Sequence, residues 1–480
     1  MSDVDAVIVG SGPNGLSAAV RLARARASVL VLEAHAEIGG GTRTAGLTLP
    51  GFAHDVCSAV HPMGFCSPWF QELPLAEHGL RWLHPKASVA HPLDEGPAVL
   101  LRRSVEETAS GLDGADARAY RRLVEPYLRD PAGFMRDALS PVRFPRHPFK
   151  MLRFGITGLA SAEGLASRFQ GPRARALFAG CAAHSILPFD RALTGAMGLM
   201  FLLTGHVENW PVAAGGSRAI TDALASLLRS LGGRIQTGVQ VTSLGDLPAA
   251  RVYLFDTGPG QLARIAGPVL PAGYVRRLQR YRYGPGAFKL DWALDGSIPW
   301  KDPRCLEAST VHVGGAFEEV AAGEAAVWRG EHPERPYVLL CQQSEIDRSR
   351  APAGKHTGWA YCHVPPGSTA DLTEAIERQV ERFAPGFRDR ILARHATRPA
   401  DLASYNLNNV GGDISGGVAD LAQMFTRPVA RLDPYSTPNP RVFLCSASTP
   451  PGAGIHGMCG YHAATSALRR LERFKPAPLG

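Results

Sequence analysis

Regular cysteine spacing is missing from this chain. Its eight cysteines (Cys57, Cys66, Cys181, Cys305, Cys341, Cys362, Cys445 and Cys459) include no CxxC pair. That excludes dithiol redox chemistry and a zinc site, and it predicts reduced thiols in place of a disulfide framework. No Walker A, HExxH or EF-hand pattern occurs either, so no metal is expected. Charge is modest: 20% of the 480 residues are Asp, Glu, Lys or Arg, and the net charge is +8. The basic residues are scattered, which argues against nucleic acid as a partner. No apolar run approaches the ~20 residues that span a bilayer. The longest, GAMGLMFLLTG (195–205), predicts a buried helix rather than a lipid-touching surface. The N-terminus is acidic and runs straight into a strand, so no signal peptide and a cytoplasmic location are expected.

What is present is glycine in register. DAVIVG (5–10) is a β-branched run closed by glycine, and PNGLSAAVRLARA then repeats at helical spacing. Strand, tight turn and helix follow in order. Gly10 permits the turn, Gly12 lets backbone approach a pyrophosphate, and Gly15 lets helix pack on strand. Pro13 and Asn14 begin the helix, whose free N–H groups and positive dipole face phosphates. SVLVLEA (28–34) predicts a second parallel strand ending at Glu33 and Ala34. A carboxylate about 20 residues after the glycines is placed for a ribose diol and disfavours a 2′-phosphate. Alone, this pattern is compatible with NAD or FAD.

The segment after Glu33 decides between them by resemblance. EIGGGTRTAGLTLPGFAHD (37–55) is similar to the second glycine motif of FAD-dependent oxidoreductases of the glutathione-reductase-like superfamily. There the chain turns back over the pyrophosphate. The resemblance implies that Gly40, Gly41, Thr42 and Arg43 contact the cofactor; many members carry Arg directly after the glycine pair, where this chain has Gly41, and Arg43 is expected to take that role. Asp55 and Thr44 are expected to hold that loop.

Further stretches make the resemblance specific. GSGPNG, GGGTRT, GGSRAI, DTGP and STPPGAGIHGMCGYHAA together resemble the phytoene-dehydrogenase-like FAD oxidoreductases. That group includes carotenoid desaturases, retinol saturases and the pyridine nucleotide-disulfide oxidoreductase domain 2 branch, the last being the nearest match. It implies an α/β fold: a Rossmann-type FAD-binding domain, a mixed-sheet substrate domain and a helical insertion. The expected division is 1–96, 206–261 and 425–480 for the FAD-binding parts. Residues 97–205 are expected to form a helical cap and 262–424 a sheet-based substrate domain. It also implies noncovalent FAD, with Val241 giving a backbone contact to adenine and Gly258 closing a third wall. Ser448, Gly452, Gly454, Ile455 and His456 are then expected near the flavin ring.

A flavin supplies the reactive chemistry, while the protein supplies position and electrostatics. Hydride abstraction also needs a proton acceptor, for which His456 leads and His61, His363 and Tyr461 follow. His456 and His462 are six residues apart with no third ligand evident, which is not a metal spacing. Trp359, Tyr361, Phe288 and Trp292 alternate along strand-like runs and line either a core face or an apolar tunnel. The function expected is desaturation, saturation or isomerisation of an apolar, lipid-like substrate, with oxygen or a quinone as electron acceptor. A lipid-like substrate also leaves room for peripheral membrane contact. Two alternatives are a flavin amine or amino-acid oxidase and a non-catalytic isoprenoid-binding protein of the same fold. The oligomeric state is not written in the sequence.

Overall fold

The computed structural model describes residues 4–141 and 144–473. Two sheets organise them. The first has five parallel strands in the order Val442–Leu444, Ala250–Phe255, Val4–Val9, Val29–Leu32 and Arg234–Gln236. Its central strands read VDAVIV, VLVL and ARVYLF, near-continuous apolar runs, because both faces of a parallel sheet are covered. One face packs on helices Pro13–Arg24, Arg218–Ser230 and Met458–Arg473 through Leu16, Ala19, Leu224 and Ala463. The other packs on Leu262, Ile265 and Tyr274.

Two glycines set how close these layers come. A Cβ on Gly15 would lie 2.1 Å from Gly10 O, and one on Gly460 would lie 1.8 Å from Asn14 O. The first helix is therefore pressed against both the strand before it and the C-terminal helix. Since Val9 pairs with both Leu32 and Phe255, the strands end together and place Gly10, Glu33 and Asp256 at one edge. Ligands of open α/β sheets bind outside these carboxyl ends.

The second sheet has seven strands, Ile391–Thr397, Gly286–Leu294, His356–Val364, Val338–Cys341, Ala308–Val313, Ala87–His91 and Val99–Leu101 in that order. All neighbours are antiparallel except Ala308–Val313 beside Ala87–His91. The sequence boundaries need correcting here. Ala87–His91 and Val99–Leu101 straddle residue 96 as a hairpin, so the segment 1–96 is not confined to the first sheet. Long-range pairing with Ala308–Val313 recruits them, and nothing local announces that partner.

Side chains alternate across this sheet. Phe288, Leu290, Trp292, Ala360 and Cys362 face Ile376, Val380, Phe383 and Phe387. Val89, Leu339, Cys341, Trp359 and Tyr361 face the helices between Val105 and Val207. Thr194–Val207 holds the longest apolar run and is mostly buried, with Gly198 set against the Phe178 ring. Among the described residues no helix is long and apolar enough to cross a membrane.

Candidate functional site

One cavity of about 630 Å³ runs from the carboxyl edge of the parallel sheet to the aromatic face of the second sheet. At the first end, Gly10 takes φ +105°, a conformation that suits glycine. The backbone thereby turns into the helix at Gly12–Pro13–Asn14. Glu33 is buried and fully engaged. Its Oε2 accepts from Ser11 N at 2.9 Å and Ser11 Oγ at 2.6 Å, and its Oε1 accepts from His35 N at 2.9 Å. Arg43 completes the set with an Nη2 donor 3.3 Å from Glu33 Oε1.

Arg43 is itself occupied. It donates to Glu37 O at 2.8 Å and Ile38 O at 3.2 Å, and its guanidinium lies 5.2 Å from the Tyr405 ring centre. It pins the loop and orients Glu33, with few donors left for a phosphate clamp. The loop rests directly on the first glycine turn, since a Cβ on Gly40 would meet Gly12 Cα at 3.1 Å. Tyr405 Oη donates to Gly40 O at 3.1 Å from the other side. Thr44 Oγ1 and Ser217 N both donate to Asp55 Oδ1 at 2.8 Å, and Asp55 forms a buried ion pair with Arg350. Asp55 and Thr44 thus do the loop-holding work their positions suggested.

Asp256 was not singled out by the sequence. It ends its strand as Gly10 and Glu33 end theirs, inside the same DTGP stretch that drew attention to Gly258, and that position was the available signal. Its Oδ2 accepts from Gly15 N at 2.9 Å, at the N-terminus of the helix. Burial and the neighbouring Glu33 push its carboxyl up to about 7, against the pull of the Gly15 hydrogen bond. An acid therefore already sits where the turn presents its N–H groups.

The far end is aromatic. Phe201, Trp210, Leu339, Cys341, Trp359 and Tyr361 line it, and the Trp359 and Tyr361 rings meet edge-on at 5.4 Å. Phe288 and Trp292 point the other way, into the core. Three histidines line the cavity, His35 beside Glu33 and then His61 and His184. His61 Nε2 lies 2.9 Å from Ser217 Oγ, and that hydroxyl donates to Ser58 O at 2.6 Å. With the Ser217 proton so committed, His61 must donate from Nε2. His184 stacks on Phe201 at 4.0 Å, and its Nε2 lies 3.1 Å from His312 Nε2. Burial lowers His61 to about 4 and His184 to about 3, so both rings are neutral near pH 7. No sequence signal marked His184, Phe201 or Trp210 as site residues, because they come from separate stretches of chain, one helix and two segments beyond helix ends, gathered only by packing.

The predicted residues divide clearly. Gly10, Gly12, Pro13, Asn14, Glu33, Ala34, Gly40, Gly41, Arg43, His61, Val241, Gly454 and Ile455 line the cavity. Gly15, Thr42, Gly258 and Ser448 stand one layer behind it. Thr42 Oγ1 donates to Gly39 O at 2.8 Å, Gly258 N donates to Asn408 Oδ1 at 2.7 Å, and Ser448 O accepts from Arg427. His456 is a correction. Its ring folds under the turn with its Cδ2 close to Gly454, and its Nδ1 accepts from Met458 N at 3.0 Å. It does not line the cavity, and burial lowers it to about 4. It braces the turn.

His363 is also withdrawn from the cavity, bound through Nδ1 to Glu324 at 2.8 Å. Tyr461 packs on Trp69, while His462 donates to Leu139 O. Cys459 Sγ lies 3.4 Å from Thr449 O and Gly452 O in a fully buried site, a structural thiol with no access to a cofactor ring. Among the described residues no group of three or more His, Cys, Asp or Glu side chains is arranged to hold a metal.

Residues 8–73 match the family model described as an NAD(P)-binding Rossmann-like domain. Across the whole chain, the mouse protein called pyridine nucleotide-disulfide oxidoreductase domain-containing protein 2 is 26% identical, covering 98% of this chain and 94% of its own length. Hydroxyneurosporene desaturase of Cereibacter sphaeroides is 25% identical over 97% of each chain. The chain is similar along its whole length to proteins named as an oxidoreductase-domain protein and a desaturase. A solved putrescine oxidase variant shares the fold of this chain, with TM-score 0.63 and 16% identity over 98% and 99% of the two chains. The Rossmann-type fold is therefore shared with these proteins, and it agrees with the geometry of the first sheet.

Proposed function

We propose that the chain is an FAD-dependent oxidoreductase that dehydrogenates, saturates or isomerises an apolar, lipid-like substrate. The observation that carries this reading is the polarity of this cavity. Its only carboxyls among the lining residues are Glu33 and Asp256, both at the glycine-turn end, while the other end is walled by Phe201, Trp210, Leu339, Trp359 and Tyr361.

The first end fits a dinucleotide on its own terms. The Gly10–Gly12 turn leaves backbone open, Glu33 is preorganised by Ser11 and Arg43, and Val239–Val241 lines the flank where adenine is expected. Bound there, FAD would accept or donate a hydride at its ring. The Ala453–Ile455 turn stands between the two ends, with Gly454 at φ +126°. The aromatic wall orients the substrate and excludes water. Neutral His61 and His184 are the groups able to take a proton at this wall, His61 through Nδ1, which a 3.4 Å contact with Ser58 Oγ holds only loosely. Electrons would leave to oxygen or a quinone.

An amine oxidase on the same fold is the competing reading. A cationic amine would need a counter-charge beside the aromatic wall, and the lining residues there offer none. The test is anaerobic. Protein loaded with FAD is mixed with polyenes, terpenoid alkenes and a panel of amines, and the flavin absorbance is followed. Bleaching or re-oxidation by the apolar panel alone supports the proposal. Bleaching by amines alone overturns the substrate class, and a protein that takes up no FAD overturns the cofactor.

A further inference from the structure

Among the described residues, an unpartnered apolar stripe lies on a short helix rather than on the long apolar run. Helix Pro148–Gly158 turns Phe149, Leu152 and Ile156 outward at 86%, 61% and 67% exposure, with Leu159 just beyond it at 51% and Phe144 before it at 86%. At 3.6 residues per turn, Phe149, Leu152, Ile156 and Leu159 fall within about 80° of one another, a single stripe. The inward face is fully engaged: Phe154 packs on Tyr127 and Phe134 at 5.8 and 5.0 Å, and Gly158 sits against Ala196. The outward stripe is therefore not half of a loosely docked helix.

Charge beside the stripe has one sign. Residues 144–159 contain Arg146, His147, Lys150 and Arg153 and no acid. Lys150 and His147 are tied to Asp130 and Asp137. Among the described residues Arg146 and Arg153 form no ion pair, and both are exposed. Large apolar side chains flanked by free cations match an acidic lipid surface, where the apolar stripe enters the headgroup boundary and the cations meet phosphates. A second copy of the chain would bring the same cations face to face, which opposes self-association through this patch.

We infer that Phe144 and the stripe Phe149–Leu152–Ile156–Leu159, with Arg146 and Arg153, dock the protein on an anionic phospholipid bilayer. Residues 195–205, the run expected from the sequence to form a buried helix rather than a lipid-touching surface, are mostly buried. The helix that meets lipid leans on that one. The same buried helix, Thr194–Val207, carries Phe201 into the cavity wall. The docking face thus backs onto the aromatic end, which suits an apolar substrate taken from the membrane if the proposed function holds. The docking itself does not depend on what the cavity binds.

The test is cosedimentation of the full-length protein with vesicles of phosphatidylcholine mixed with phosphatidylglycerol, and with phosphatidylcholine alone. The expected result is partition onto the anionic vesicles that weakens with salt and drops about tenfold or more in Leu152→Asp/Ile156→Asp. Arg146→Glu/Arg153→Glu keeps every apolar group and is expected to lose the preference for anionic vesicles; it stays informative if the first variant misfolds. Melting temperature and FAD uptake, read in parallel, are expected to be unchanged, so failure of the cofactor reading is seen separately. Wild-type protein that stays in the supernatant with both vesicles overturns the inference, as do stripe variants that bind like wild type. A concentration-dependent dimer abolished by Leu152→Asp/Ile156→Asp would assign the face to a second copy and overturn it as well.

Discussion

The two ends of the cavity are built by different means. The glycine-turn end is local: Gly10, Ser11, Gly12, Glu33 and Arg43 lie within one strand–helix–strand–loop unit, and backbone geometry sets most of it. The aromatic end is assembled at long range, with Phe201 from a helix, His184 from just beyond another, Trp210 from a loop, and Leu339, Trp359 and Tyr361 from strands. A backbone-built end tolerates almost no change at its turns. A packed end can change its specificity without losing the fold.

The largest effect is expected where layers touch through glycine. Gly460→Ala puts a methyl group 1.8 Å from Asn14 O, where only backbone could yield, and should destabilise the chain by about 3 kcal/mol or more. Thermal unfolding reads this directly, and FAD uptake should fall with it because the first helix moves. Glu33→Ala comes next. It removes the ribose-facing carboxylate and strands Ser11 and Arg43, so FAD affinity should drop by about 2–4 kcal/mol in a fluorescence titration while the fold persists.

Asp256 sharpens the same end through pH. Its carboxyl is held up at about 7, above an unfolded value near 3.8. Stability from its proton is fully present below the unfolded value and is lost as pH rises through about 7. The ionised form would also face a pyrophosphate at the helix N-terminus. FAD should therefore bind more weakly at about pH 8 than at about pH 6, by about tenfold, and Asp256→Asn should flatten that dependence. A titration of wild type showing tighter binding on the alkaline side would reverse the sign and remove the carboxyl from this role.

The smallest effects on the cofactor are expected at the other end. Tyr361→Phe should change FAD affinity by less than about 0.5 kcal/mol and act on KM for an apolar substrate. His456→Ala is the control between the ends. It should lower the melting temperature by loosening the Gly454 turn and leave the pH profile of turnover unchanged, since the ring never reaches the cavity.

This contrast also explains what could be read from the amino-acid order. The parallel strands, the turn at Gly10–Gly15, Glu33, the loop at Gly40–Arg43 and the return of Gly454 were legible because each is a local backbone requirement with a residue-type signature. His456 misled for the same reason: it stands in a recognised turn, and only side-chain packing shows that the ring folds under it. The hairpin Ala87–Leu101 and the pair His184–His312 were not legible, since their partners lie more than a hundred residues away. Trp359 and Tyr361 alternate with Ala360 and Cys362 plainly enough to predict a strand. Which face met the cavity depended on the helices laid against it.

The most direct test is one FAD fluorescence titration run on wild type, Glu33→Ala and Trp359→Ala. The account predicts binding in wild type, its loss in Glu33→Ala, and near-normal binding in Trp359→Ala, the variant of the aromatic wall. Equal loss in both variants, or undiminished binding in Glu33→Ala, would contradict a cavity divided into a cofactor end and a substrate end.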